Sequence, residues 1–191
     1  MKQKYSELYA LLDIDTLKKY EKTIEWFVLR ATKLNAKLIQ YRDKSENLET
    51  MKQNIKKIKN LCDIPTIVND NIFLVQYCDG LHLGQDDILK FGHDIDEAAL
   101  FVRDEIGDKI FGLSTHDEKE ILKSNELCVD YIGLGSYRQT DTKNVSNILG
   151  EKVDKLALLS NKDVAIIGGV KLTDNFKNAK YKVIGSNLYE N

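Results

Sequence analysis

The sequence predicts an α/β protein, a (β/α)8 barrel with shortened helices built as one domain over residues 1–191. Three observations predict it. Eight short apolar runs rich in β-branched or aromatic residues recur along the chain, segments with helical spacing lie between most of them, and no linker, charge block or composition shift divides the sequence.

The runs are "LYALL" at 8–12, "KLIQY" at 37–41, "TIVN" at 66–69, "GLHL" at 80–83, "KIFGL" at 109–113, "VDYIGLG" at 129–135, "VAIIGG" at 164–169 and "YKVIG" at 181–185. The first is followed by "DTLKKYEKTIEWFVLRATKL" and the second by "ENLETMKQNIKKIKNL", each with apolar positions three and four apart, the signature of a helix with one buried face. Strands that alternate with helices form right-handed βαβ units and a parallel sheet. The unit between the third and fourth strands is compressed, and its helix, "IFLVQYC", is barely two turns long. Pro65, the sole proline, stands where the third strand begins, a position that tolerates a missing N–H. Asp117 is placed to cap a helix beginning "EKEILKS", and only "SNLYEN" follows the last strand. Barrels of this kind typically need about 250 residues, so trimmed helices are required here. An open doubly wound sheet is the architectural alternative.

Composition narrows the function. Lys and Arg number 28 against 30 Asp and Glu, a net charge of −2 that supplies no overall basic field for nucleic acid or an anionic membrane. No run of about 18 uncharged apolar residues occurs to cross a bilayer, and the first residues lack a secretory apolar stretch, so a cytoplasmic protein acting on small molecules is expected. Cys62, Cys78 and Cys128 lie far apart without paired spacing, which suits reduced thiols better than a zinc site or disulfides. Trp26 and Phe27 read as core packing of a helix, and His93 as helix-entry chemistry.

In a parallel barrel the functional face lies at the C-terminal ends of the strands. The second strand ends in Gln40, Tyr41, Arg42, Asp43 and Lys44. Alternation places Gln40, Arg42 and Lys44 on one face, three donors converging on one point as an anion such as a phosphate requires. Asn69 and Asp70 end the third strand, and Asp86 and Asp87 follow the fourth. Carboxylates at adjacent strand ends can share a magnesium ion, while N-capping of the following helices is the competing explanation for each. The stretch "STHDEKE" follows the fifth strand: Asp117 onward is helix start and surface, leaving Ser114 and His116 beside the site. The sixth strand leads through Gly133 and Gly135, which would let backbone approach a ligand, to Thr140, Thr142 and Lys143. The seventh ends in Gly168 and Gly169 and the eighth in Gly185 and Ser186, where barrels commonly hold a phosphate on backbone N–H groups. The pieces describe two facing anion sites, one with a carboxylate pair and one built from glycine backbone. His82 points into the barrel or is a satisfied core histidine.

The motifs "QYRDK", "IVNDN", "DGLHLGQDD", "GLSTHDE", "YIGLG....TDTK" and "AIIGGV" resemble, in the same order, those of the thiamine phosphate synthase and thiazole tautomerase superfamily, and are closer to the synthases. For a synthase the resemblance implies coupling of hydroxymethylpyrimidine pyrophosphate to thiazole phosphate, with dissociative loss of pyrophosphate before the thiazole nitrogen captures the pyrimidine cation. It implies that Gln40, Arg42 and Lys44 hold the pyrophosphate with Asn69 alongside, that Asp70 and Asp87 ligate Mg2+, that Ser114 touches the substrate, and that Lys143 contacts pyrophosphate from across the site. Thr140 and Thr142 would face the thiazole phosphate, and Gly169, Gly185 and Ser186 would grip it. Arg42, Lys44, Ser114 and Lys143 are then the catalytic set, the partners are the two small substrates, and homo-oligomers are frequent in the family. The tautomerase alternative would use His116 as acid and base, and a non-catalytic barrel binding thiamine precursors is the third reading. Two stretches depart from the synthase pattern: "GSYRQ" ahead of "TDTK", and "YKVIGSNLYEN" at the last strand.

Overall fold

The structure, a computed structural model, describes residues 5–45, 47–139 and 148–190. Eight strands, β1 (Glu7–Asp13), β2 (Leu38–Arg42), β3 (Thr66–Asn69), β4 (Gly80–Leu83), β5 (Ile110–Thr115), β6 (Tyr131–Leu134), β7 (Asp163–Ile166) and β8 (Tyr181–Ile184), form a closed barrel in chain order. Every neighbour is parallel, and β8 pairs back onto β1 with Tyr9 opposite Val183, which excludes the open sheet. All eight strands coincide with the apolar runs of the sequence.

Side-chain alternation divides two apolar cores. Leu8, Ala10 and Leu12 of β1, Ile39 and Tyr41 of β2 and their counterparts on the other strands face outward and pack under the helices. Tyr9, Leu38, Ile67, Tyr131, Ala165 and Val183 fill the lumen. A barrel of eight strands is narrow enough for side chains alone to fill it. The two interior tyrosines are large, and glycine on the adjacent strand makes room. A Cβ on Gly112 would lie 2.1 Å from Tyr131 Cζ, and one on Gly133 would lie 2.9 Å from His82 Cε1.

Seven α-helices are described among these residues: α1 (Ile14–Lys19), α2 (Ile24–Lys33), α3 (Leu48–Leu61), α4 (Gln85–Ile88), α5 (Ile95–Ile106), α6 (Glu118–Ser124) and α7 (Lys152–Leu156). The periodic stretch 15–34 is two helices and not one. Thr23 takes the N-cap of α2, its hydroxyl accepting the Trp26 N–H at 3.3 Å, and Glu21 turns the chain with φ 51°. The predicted short helix after β3 is a 3-10 segment, Ile72–Tyr77, capped by Asn71. Between β7 and β8 the chain runs without a helix. Val170, Phe176 and Ala179 fill the space, and the Lys182 ammonium, facing outward from β8, donates to Leu172 O at 2.6 Å and Asp174 O at 2.9 Å. Burial pulls the Lys182 pKa down, a cost accepted because two carbonyls of a non-helical segment would otherwise lack donors.

The rim at the N-terminal ends of the strands is stitched for stability. Asp79 accepts the Thr66 N–H at 2.8 Å and pairs with Lys59, while Asp130 accepts the Phe111 N–H at 2.7 Å and pairs with Arg103. The Pro65 carbonyl accepts the Ile39 N–H at 3.0 Å, so the proline sits at a strand start as its missing donor requires. No helix among the described residues is long and apolar enough to cross a membrane.

Candidate active site

The C-terminal rim gathers the polar residues. Gln40 points into the lumen, buried, and its Nε2 donates to the Tyr9 hydroxyl at 3.0 Å. Tyr41 faces away, held by Asp43 and Asn54, as alternation demands. Arg42 at the rim meets Asp13, the last residue of β1, with Nη1 2.5 Å from Oδ2. Asp13 also caps α1, its other oxygen accepting the Thr16 N–H and Oγ1–H at 2.8 Å each. One carboxylate thus anchors the helix and aims the guanidinium, which has five donors in all. Lys44 follows on an exposed loop.

Asn69 and Asp70 leave β3 together. The Asp70 backbone has φ 60°, its N–H donates to the His82 carbonyl at 2.9 Å, and Asn69 Nδ2 donates to its carboxylate. Neither Asp70 nor Asp87 is a helix cap. Asn71 caps the segment after β3, and α4 starts from Gly84 with Asp86 and Asp87 inside its first turn. Burial and then the nearby Asp87 charge raise the Asp70 pKa, opposed by the Gly84 N–H, by Arg42 and by Asn69. The carboxylates of Asp70 and Asp87 therefore share one electrostatic environment with Arg42 at its edge. Lys90 lies 2.6 Å from Asp87 on the solvent side, and these acidic groups raise its pKa. Among the described residues no cluster of three or more His, Cys, Asp or Glu forms a closed metal cage. Two neighbouring carboxylates, of which Asp70 has its proton affinity raised partly by the charge of Asp87, fit a hard divalent cation whose remaining ligands are water and phosphate oxygens.

Across the mouth, Ser114 stands at the end of β5 with Oγ 3.0 Å from His82 Nε2, and Gln85 Nε2 donates to its carbonyl at 2.6 Å. His116 lies outside this line. Its Nδ1 is 2.9 Å from Glu120 Oε2, and the same oxygen accepts its backbone N–H at 2.7 Å. Asp117 caps α6 by accepting the Glu120 N–H at 2.9 Å. The stretch from Ser114 to Glu120 is thus site at its first residue and helix entry from His116 on.

The second anion region is built differently from expectation. Gly133 makes room for His82 and Gly135 for Ile167, so both serve packing within the barrel. Gly168 and Gly169 adopt φ 94° and 61°. Arg138 binds both: its N–H donates to Gly168 O at 2.9 Å and its Nη1 to Gly169 O at 3.2 Å. The guanidinium then grips Asp174 through both oxygens, at 2.5 and 3.0 Å, and stacks on Tyr137. Burial alone would raise the Asp174 carboxyl, but Arg138 and the Lys171 N–H hold it below the usual carboxylate range. Gly185 and Ser186 open a 3-10 turn, and Asn187 beside them accepts the Leu172 N–H at 2.8 Å, drawing the segments after β7 and β8 together. Thr140, Thr142 and Lys143 lie outside the described residues.

The site thus includes residues the sequence reading did not single out: Asp13, Gln85, Tyr9, Tyr131, Arg138 and Asp174. Asp13 ends a strand on the functional rim, the one signal that marked it. The others are recognisable only through their partners.

The sequence matches the thiamine monophosphate synthase family over residues 8–185. It is 37% identical over 179 residues to the thiamine-phosphate synthase of Persephonella marina, covering 89% of this chain and 81% of that one. It is 33% identical over 180 residues to the thiamine-phosphate synthase of Streptococcus agalactiae, with 85% and 77% covered. Among solved structures, thiamine phosphate pyrophosphorylase from Pyrococcus furiosus superposes with a TM-score of 0.75 at 22% identity over 94% of this chain and 85% of that one. The tryptophan synthase α-subunit from the same organism reaches 0.66 at 13% identity over 98% and 90%, a likeness of fold. With its family match spanning nearly the whole barrel, the chain belongs to the thiamine monophosphate synthase family, a family of transferases.

Proposed function

We propose that this protein joins hydroxymethylpyrimidine pyrophosphate to thiazole phosphate, forming thiamine phosphate and releasing pyrophosphate. The observation that carries this is the pair Asp70 and Asp87, brought from adjacent strands into one environment beside Arg42. Mg2+ held by these two carboxylates would neutralise charge on the departing diphosphate. The residues of the chain do the rest. Arg42, aimed by Asp13, and Lys44 bind the leaving group as cations, Gln40 offers an amide donor from below, and Asn69 binds alongside. Carbon–oxygen cleavage at the pyrimidine methylene leaves the electron pair on pyrophosphate, and the thiazole nitrogen supplies the new bond. No side chain need remove a proton in that step.

Ser114 touches the pyrimidine substrate. Gly169, Gly185 and Ser186 hold the thiazole phosphate on backbone and hydroxyl donors, with Thr140 and Thr142 facing it and Lys143 reaching pyrophosphate from the other side. Alignment of two reactants in one mouth supplies a large share of the acceleration. The three free thiols support a reducing, cytoplasmic setting.

The test is direct coupling. Purified protein given both phosphorylated precursors and Mg2+ makes thiamine phosphate, and Asp87→Ala loses at least about 100-fold of this rate, the range for loss of a group that stabilises transition-state charge, while its thermal unfolding stays cooperative. Near-normal turnover in Asp87→Ala removes the assignment. Aromatisation of the non-aromatic thiazole precursor in place of coupling would move the activity to the tautomerase reaction.

A further inference from the structure

Four buried groups and the half-buried Ser114 form one hydrogen-bonded chain across the floor of the site. Gln40 Nε2 donates to Tyr9 Oη at 3.0 Å, Tyr9 Oη lies 2.8 Å from Tyr131 Oη, Tyr131 Oη lies 2.9 Å from His82 Nδ1, and His82 Nε2 lies 3.0 Å from Ser114 Oγ. It begins and ends at Gln40 and Ser114, the two residues to which the proposed reaction gives a substrate contact. The lumen of a barrel is ordinarily filled by branched aliphatic side chains, yet here β5 and β6 carry Gly112 and Gly133 where any Cβ would strike Tyr131 or His82. Space for the chain is built into the sheet.

We propose that this chain is a directional relay, polarised from Gln40, which makes Ser114 a hydrogen-bond donor to the substrate and so selects a hydrogen-bond acceptor, such as an unprotonated ring nitrogen, at that point of the pyrimidine. The direction follows from counting hydrogens. Each phenol has one hydrogen to give, and burial keeps both protonated, with the Tyr9 and Tyr131 pKa values pushed above the ordinary range. Tyr9 accepts from the Gln40 amide, and its only other hydroxyl partner among the described residues is Tyr131, so it donates there. Tyr131 has then accepted one hydrogen and gives its own to His82 Nδ1. A neutral imidazole that accepts at Nδ1 carries its proton on Nε2, and that N–H donates to Ser114 Oγ. The serine hydrogen is left to point toward the mouth.

Only the amide end of Gln40 makes this direction fixed. With the carbonyl turned to Tyr9, every bond would reverse and Ser114 would face the substrate as an acceptor. An ionised pyrophosphate that accepts the second hydrogen of Gln40 Nε2, the first being given to Tyr9, favours the amide-donor orientation, whereas an anion on the far side of the amide would turn the carbonyl to Tyr9. Occupancy of the anion site and the donor character of Ser114 are thereby linked through Tyr9, Tyr131 and His82, which are positioning residues. This deepens the coupling reaction proposed above and rests on it for the identity of the substrate.

The experiment reads the relay by itself and then its effect. The protein has three histidines, so 15N spectra of histidine-labelled protein at pH 8, with and without inorganic pyrophosphate and Mg2+, isolate His82 once His93→Gln and His116→Gln are compared. The expected result is a His82 ring protonated at Nε2 and accepting at Nδ1, with that preference lost in Tyr131→Phe. In the coupling assay, Tyr131→Phe and Tyr9→Phe each lower kcat/KM about 10- to 100-fold, the double variant is no worse than either single, and Tyr181→Phe, which removes a hydroxyl from the same layer outside the chain, leaves it unchanged. A His82 ring protonated at Nδ1 in the wild type, or wild-type kcat/KM in both folded phenylalanine variants, overturns the relay. If the wild type makes no thiamine phosphate while His82 shows the Nε2 proton and responds to Tyr131→Phe, the relay stands and the coupling reading falls.

Discussion

Asp70 shows how a single side chain carries both a cost and a use. The residue is exposed at the mouth, yet neighbouring atoms partly strip water from its carboxylate, the charge of Asp87 acts on it, and it hangs on a backbone with φ 60°, a conformation that Asn adopts as readily as Asp. Asp70→Asn keeps the turn and an oxygen for the Gly84 N–H while removing the repulsion. The expected outcome is a melting temperature about 2–4 °C higher, equivalent to about 1 kcal/mol for a chain of this size, together with loss of Mg2+-dependent coupling. Calorimetry on the metal-free variant and wild type checks it, and a lower melting temperature would show that the carboxylate is a structural group. Arg42, Lys44 and Asp87 could be picked out from sequence because they sit at strand ends on the functional side. Asp13 also ends a strand on that side, but its role shows only in meeting Arg42, 29 residues away along the chain.

The helix missing between β7 and β8 explains the unusual "GSYRQ" stretch. Without a helix to brace the chain after Gly169, the Arg138 guanidinium does so, bonding Gly169 O and both Asp174 oxygens. Asp174 has a lowered pKa in the folded protein, so the unfolded state binds the extra proton as pH falls. The clamp's contribution is therefore complete above the ordinary carboxylate pKa of about 3.9 and is lost as pH drops through the lower folded value. Arg138 remains substantially exposed and water screens the pair, so the contribution is about 1 kcal/mol. Asp174→Asn should melt about 2–4 °C below wild type at pH 7, the gap closing as pH falls below about 4. A gap of constant size down to pH 3 would mean that the charge is irrelevant. Helix boundaries followed the same logic: α1 and α2 divide at Thr23 because a side-chain cap there outweighs the continuous apolar spacing, which is blind to caps.

Closure of the barrel makes the site a property of the entire sheet. Residues from β1, β2, β3, β4 and β5 meet at one mouth, so a ligand that binds there stabilises the whole fold. At 100 times its dissociation constant it adds about 2.7 kcal/mol, and pyrophosphate with Mg2+ should raise the wild-type melting temperature by about 5–10 °C, a shift absent from Asp70→Asn and Asp87→Ala. An equal shift in those variants would place the anion elsewhere. The barrel was legible in the order of strands and helices because periodicity is a local property: alternate residues of an extended chain face opposite ways whatever surrounds them. The same rule set Gln40 against Tyr41 and marked the rim where charged residues collect. What local pattern leaves open is which partner each inward group meets. Read singly, His82 is a satisfied core histidine as readily as a group pointing into the barrel, Gly133 is a point of backbone approach to a ligand, and nothing marks Tyr9, Tyr131 or Gly112. They became one hydrogen-bonded line only when eight strands closed at a fixed register, since the distance between two lumen atoms depends on the shear of the complete barrel and on no single segment.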